Sequence, residues 1–195
     1  MNRDKFFAWG IVLTLLFCFA LIVKPLGAAS EEKTKQKRAD VRKMANETLA
    51  RLYKVQPSAE KAVAGSAGYA VFSNFGMKIF LAGGGSGSGI AVDNKTRKET
   101  FMKMVEVQAG LGLGVKKFRL VWVFENQADL NRFVNSGWEL GGQATAAAKL
   151  SNQGGAFAGA MSISPGVWLY QLTDDGLALE LTVKGTKYYK AGALN

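Results

Sequence analysis

The sequence predicts an α+β domain: a mainly antiparallel, glycine-rich β-sheet, or flattened barrel or sandwich, with an N-terminal amphipathic helix and one internal helix. Three observations carry this. A stretch without Gly or Pro, Glu31 to Lys54, repeats apolar residues at helical spacing. From Gly68 onward, short apolar runs alternate with turn residues. The 23 glycines against three prolines point to close backbone packing, not a Pro-rich linker or a collagen-like repeat.

The N-terminus precedes all of this and reads as an address. Asn2-Arg3-Asp4-Lys5 is a short basic region, and Phe6 to Val23 carries no charge. Gly27 and Ala29 then suit the −3 and −1 positions of a signal peptidase site, so cleavage after Ala29 is favoured over an uncleaved anchor. Phe17 before Cys18 is too large for a lipoprotein signal. Residues 1–29 are thus a signal peptide or membrane anchor, 30–57 a basic amphipathic helix and 58–195 a β-rich domain, with an exported, periplasmic or otherwise extracytoplasmic membrane-associated location.

In the helix, Val41, Met44, Ala45, Thr48, Leu49 and Leu52 share one face. Lys33, Lys35, Lys37, Arg38, Arg42, Lys43, Arg51 and Lys54 surround it. Two readings follow: a helix on an anionic membrane with its apolar face dipped in, or a surface helix docked on the sheet. Pro57 ends this helix, and Ser58-Ala59-Glu60-Lys61 starts a short second one.

Gly68–Phe72 is a strand; Ile90–Val92 and Thr100–Val107 flank the turn Asp93–Lys98; and Leu120–Phe124 reads as a central strand buried on both faces. Asn126 caps a helix over Gln127–Asn135 with Leu130, Phe133 and Val134 inward. Val167–Leu172 and Leu177–Lys184 form a hairpin around Asp174-Asp175-Gly176. Gly83, Gly85, Gly87 and Gly89 alternate, as do Gly110, Gly112 and Gly114. Each set leaves one strand face bare, for a second layer or a ligand to approach closely. No Gly-Lys-Ser/Thr or helix start follows Gly89, so this is not a phosphate loop.

The net charge is +10; without residues 1–29 the chain keeps 22 basic and 14 acidic residues, or +8. Such a field draws anionic surfaces, and export makes nucleic acid the least suitable of them. With no His, and Cys18 as the only Cys, His-based catalysis, Cys nucleophiles, disulfides and common zinc sites are excluded. No catalytic residue, metal ligand or cofactor site is assigned. The carboxylates open to an enzyme are Glu106, Glu139, Asp174 and Asp175, of which the last two read better as a turn.

In order and spacing, these motifs resemble the SYLF domain family over roughly residues 40 to 190. The resemblance rests on Lys61-Ala62 with Ala67–Phe72, on Gly83–Gly89, and on Gln108–Gly112 ahead of Leu120–Phe124. Phe133, Ser136–Glu139, Gly142, Ala144, Gly176–Ala178 and Leu181–Lys187 complete it. It implies a β-rich α+β domain that binds phospholipids, phosphoinositides in eukaryotic members, partly through an N-terminal amphipathic helix. No SH3 or FYVE-type module is attached here, and an exported chain would not meet actin. The implied partner is an anionic phospholipid membrane.

That resemblance favours headgroup contact by Lys33, Lys35, Lys37, Arg38, Arg42 and Lys43. Two further basic clusters compete, Lys95, Arg97 and Lys98, and Lys116, Lys117 and Arg119. In a simple meander these would lie at opposite ends of the sheet, beyond the reach of one flat membrane. The rival function is a structural or partner-binding envelope protein that recognises an acidic glycan or protein.

Overall fold

The computed structural model describes residues 26–79, 82–109, 114–140, 149–150, 157–178 and 185–195. The expected export signal up to residue 25 lies outside them, as do Gly110, Gly112, Gly142, Ala144 and residues 179–184 of the second expected hairpin. The helices are α1 (Leu26–Val55), α2 (Ser58–Gly65) and α3 (Gln127–Ser136). The strands are β1 (Gly68–Ile79), β2 (Ala82–Asp93), β3 (Glu99–Ala109), β4 (Gly114–Phe124), β5 (Trp138–Leu140), β6 (Lys149–Leu150), β7 (Met161–Ser164), β8 (Val167–Thr173), β9 (Gly176–Ala178) and β10 (Thr186–Lys190). The fold is α+β. Among the described residues, no helix is long and apolar enough to cross a membrane.

All described strands join one antiparallel sheet in the order β5-β10-β3-β2-β1-β4-β8-β7-β6, with β9 added to β8. β2 and β3 form the hairpin that the Asp93–Lys98 turn predicts, and β1 pairs with the other edge of β2, so the simple meander from β3 to β4 is not what forms. β4 then returns past β2 to pair with β1, placing Leu120–Phe124 mid-sheet, where every residue is buried. An apolar run with no polar face is stable only where both sides are covered.

Two compact units are distinguished, one ending at Gln36 and one from Lys37 to Asn195. In the second, the two sheet faces carry separate cores. Phe72, Met102, Met104, Leu120, Trp122, Phe124, Leu169 and Tyr188 line one face, which α3 covers through Leu130 and Phe133. Val71, Ile90, Val92, Phe101, Val121, Val123 and Tyr170 line the other, covered by Val41, Ala45, Leu49 and Leu52 of α1 and by Ala59 and Val63 of α2. The apolar stripe of α1 is therefore docked, and the reading in which it dips into a membrane is corrected for these four residues.

The first face is concave. Tyr188 on β10 and Phe72 on β1 are three strands apart, about 14 Å in a flat sheet, yet their ring centroids lie 4.9 Å apart. Trp122, one strand further on, is 5.3 Å from Tyr188. Only a strongly curled sheet brings these rings together. Phe133 closes the cluster from α3, 4.9 Å from Phe124 and 5.3 Å from Tyr188. Asn126 caps that helix as expected, its side-chain oxygen accepting from Asp129 N at 2.9 Å.

Glycine has a different job from the one expected. At Gly87 and Gly89 no second layer enters; the space is taken by side chains of the flanking strands. A Cβ on Gly89 would run into the Phe72 ring and the Val71 carbonyl oxygen, and one on Gly87 into Ser73 O, with Met104 Cγ at 2.7 Å. The bare stretch of β2 lets large residues of β1 and β3 lean across it, which a tight curl requires.

Candidate functional site: a basic cleft beside the helix

From Val41 onward, α1 crosses the strands. Arg42 meets β3, Thr48 meets β4, and Arg51 donates to the Thr173 and Asp174 carbonyl oxygens at the end of β8. Its two long edges therefore look along the strands in opposite directions. On the edge facing the β2–β3 turn, a cleft of about 500 Å³ is lined by Arg38 and Arg42 of α1, Arg97 and Lys98 of the turn, and Lys190 of β10. Glu99 is the one acidic side chain in this lining, and Phe101 is its apolar wall.

Three of these cations, Arg38, Arg42 and Lys190, are held by contacts of their own side chains. Both arginines lie over the Phe101 ring, at 5.8 Å for Arg38 and 5.1 Å for Arg42, a cation–π geometry. Arg38 Nε donates to Leu194 O at 2.8 Å, tying α1 to the C-terminal turn. Arg42 donates to Glu99 Oε2 through Nε at 2.8 Å and Nη2 at 2.7 Å. Lys190 Nζ donates to Asn135 Oδ1 at 2.8 Å.

The turn that presents Arg97 and Lys98 is braced from below. Asp93 accepts from Thr96 N at 2.7 Å and from Gln127 Nε2 at 2.7 Å, so turn and α3 share one carboxylate. The backbone hydrogen bond from Thr96 leads in holding the Asp93 carboxyl below its ordinary value, against a smaller opposing effect of desolvation. Asn94 Nδ2 donates to Val63 O at 2.7 Å and Ser66 O at 3.0 Å, fastening the turn to the end of α2. Arg97 sits at φ 60°, a left-handed conformation that reverses the chain and faces its side chain to the cleft.

The structure thus unites parts of two candidate patches. Arg38 and Arg42 of the helix meet Arg97 and Lys98 of the turn, while Lys95 is exposed outside the lining. Lys33, Lys35 and Lys43 are exposed on α1, and Lys37 lies on its opposite edge. The third patch is separate: Lys117 and Arg119 line another cavity of about 270 Å³ with Arg51. Arg119 is engaged in docking α1, with Glu47 Oε2 at 3.8 Å and Thr48 Oγ1 at 3.0 Å. The side chain of Lys116 lies outside the described set, though its backbone pairs with Gly76. Gly68 pairs with Asp93 and Phe75 with Lys117, so seven residues of β1, roughly 23 Å, separate the β2–β3 turn from Lys117. The two turn-side patches do stand towards opposite ends of the sheet.

Sequence reasoning missed Lys190, which reaches the cleft through the pairing of β10 with β3, and Glu99 and Phe101, which open β3 directly after the turn. Of the four carboxylates open to an enzyme, Glu106 is enclosed while Asp174 and Asp175 are exposed in the β8–β9 turn, and Glu139 has only its backbone described.

No family model matches the chain. A curated protein of Aeromonas veronii, Beta cell expansion factor A, is 33% identical over 173 residues, which span 85% of this chain and 62% of that protein's length.

Proposed function

We propose that this chain is an exported, non-enzymatic protein of SYLF type that binds anionic phospholipid at a membrane surface, with the basic cleft as its headgroup site. The observation that carries the proposal is the convergence of Arg38, Arg42, Arg97, Lys98 and Lys190 around a cavity in whose lining Glu99 is the one acidic side chain. Arginine forks and lysine ammoniums are the groups that hold phosphate oxygens. A cavity of this size admits a phosphorylated headgroup, and the surrounding positive field draws the protein to an anionic bilayer. Insertion of α1 is no part of this proposal, since its apolar stripe is committed to the sheet.

The test is cosedimentation with phosphatidylglycerol vesicles across a salt series, with phosphatidylcholine vesicles and an acidic polysaccharide as further arms. At about 1 kcal/mol per basic residue near an anionic surface, Arg97→Gln with Lys98→Gln should weaken vesicle binding about 30-fold. Both residues are exposed, so the melting temperature should hold. Lys117→Gln, far beyond a Debye length of about 8–10 Å, should change binding little. Undiminished binding by the double variant removes the cleft, and equal binding to phosphatidylcholine at high salt removes the electrostatic basis. Capture by the polysaccharide with no response to vesicles would favour an acidic-glycan partner instead.

A further inference from the structure

The opposite edge of α1 borders a second cavity, of about 430 Å³, with a different chemistry. Val41 and Met44 of the helix and Ala193 and Leu194 of the C-terminal turn supply apolar walls. The floor is a polar row set by strand register: Ser73 of β1 pairs with Ser88 of β2, and Ser88 with Lys103 of β3. Lys37 and Asp40 stand at the helix side. The depression continues along β2 and β3 past Ser86 to Val105 and Tyr189, again over Ser73, Ser88 and Lys103. Val105 and Tyr189, 41% and 37% exposed, are two of the three large apolar side chains that stand exposed among the described residues.

A small hydrophilic anion would leave those apolar walls unused. A purely apolar ligand would strip water from Lys103 without replacing its hydrogen bonds, which is unfavourable. A ligand with both characters answers both objections. Asp40 offsets one of the two lysines, so the charge balance suits a monoanion. We propose that this groove holds a single acyl chain ending in a monoanionic head, the chain against Val41, Met44 and Leu194 and the head between Lys103, Lys37 and the Ser73 and Ser88 hydroxyls. The site shares neither its cations nor its floor with the basic cleft, and the proposal stands apart from the membrane-surface reading. Such a ligand reaches the groove as a free fatty acid or as a monoacyl phospholipid.

The test is displacement of dansyl-undecanoate from the full chain by palmitate, lysophosphatidylglycerol and hexadecanol. Palmitate or the lysolipid should displace the probe, and whichever binds more tightly identifies the source. Hexadecanol, lacking the charge-assisted bonds, should bind about tenfold more weakly or worse. Lys103→Gln should weaken palmitate binding by about the same factor. Ala193→Trp, at an exposed position in the wall, should block the probe. Both variants should melt with the parent chain. Arg97→Gln with Lys98→Gln should bind palmitate normally, so failure of the cleft and failure of the groove give different results. The proposal is overturned if neither anionic amphiphile displaces the probe, or if both groove variants bind palmitate as the parent does.

Discussion

The two faces of the sheet solve the same burial problem with different side chains. The concave face is closed by interlocking rings, with Phe72, Trp122, Phe124, Phe133 and Tyr188 in edge, tilted or stacked contact. On the face that α1 covers, the helix itself contributes small and aliphatic groups, Val41, Ala45, Leu49 and Leu52 against Val71, Ile90 and Val121. Among the described residues, the rings there, Phe101 and Tyr170 among them, do not form one interlocked cluster with the helix. Rings fix the curvature because their shape leaves few ways to fit. Aliphatic contacts of the kind α1 makes fix only that something apolar lies against the sheet. The polar side chains flanking α1 then complete the docking: Arg38 to Leu194, Arg42 to Glu99, Arg119 to Thr48. The ring cluster fills one face, and both candidate sites lie at the helix edges on the other.

Truncation at the centre of each face tests this most directly. Phe133→Ala, removing the plug of the ring cluster, should destabilise by about 3–5 kcal/mol, and Leu52→Ala by about 2–5 kcal/mol, read by denaturant titration. The sharper outcome is where the damage shows. Phe133→Ala should alter the near-ultraviolet signal of Trp122 and leave vesicle binding by the folded fraction unchanged. Leu52→Ala should weaken vesicle binding as well, because α1 carries Arg38 and Arg42. A vesicle defect in the Phe133 variant of the same size as in the Leu52 variant would show that the faces are not separable.

The glycines of β2 give a smaller contrast along a single strand. Gly89→Ala places a methyl group against the Val71 carbonyl oxygen and the Phe72 ring and should cost about 1–3 kcal/mol. At Gly84 the nearest atom to an added Cβ is Glu106 O at 3.5 Å, an ordinary contact, so Gly84→Ala should be neutral to slightly stabilising. Equal melting temperatures for the two variants would show that the close approach of Phe72 is not what Gly89 is there for.

The smallest effect concerns the tyrosines. Burial leads in pushing Tyr53 and Tyr170, on the helix-covered side, from 10.0 up to about 12, and it holds Tyr188 on the concave face higher still. A folded value above the unfolded one favours the native state fully below about pH 10 and ceases to do so as pH rises through the folded value. In an alkaline spectrophotometric titration, phenolate absorbance from these residues should therefore be missing at pH 10, and stability should fall as pH climbs towards 12. Tyr188 should ionise only with global unfolding. Its release before Tyr170 would place the looser packing on the concave side.

Much of this was readable in order along the chain. The α1 stripe, the Asn126 cap, the Asp93–Lys98 turn and the doubly buried Leu120–Phe124 run are local patterns of spacing and turn chemistry, and each stands where the spacing puts it. What covered the stripe was not readable, because the same amphipathic helix serves a sheet or a membrane. Nor was the role of Gly87 and Gly89, whose occupants Phe72 and Met104 belong to neighbouring strands. The basic cleft is the clearest case. Arg42, Lys98 and Lys190 are far apart in sequence and meet only through the docking of α1 and the pairing of β10 with β3, which no local pattern encodes.

The return of β4 to the side of β1 also sets an order of assembly. β1, β2 and β3 lie consecutively and close through short connections, so they can pair early, whereas Gly68 meets Phe124 only after the intervening chain has been traversed. Loop-closure entropy makes such distant pairings the slow ones. Until β4 arrives, the outer edge of β1 carries unpaired amides beside Ala70, Val71 and Phe72, a surface that another strand could extend. The central position that buries Leu120–Phe124 in the finished sheet therefore leaves the edge of β1 open to mispairing until that run is in place.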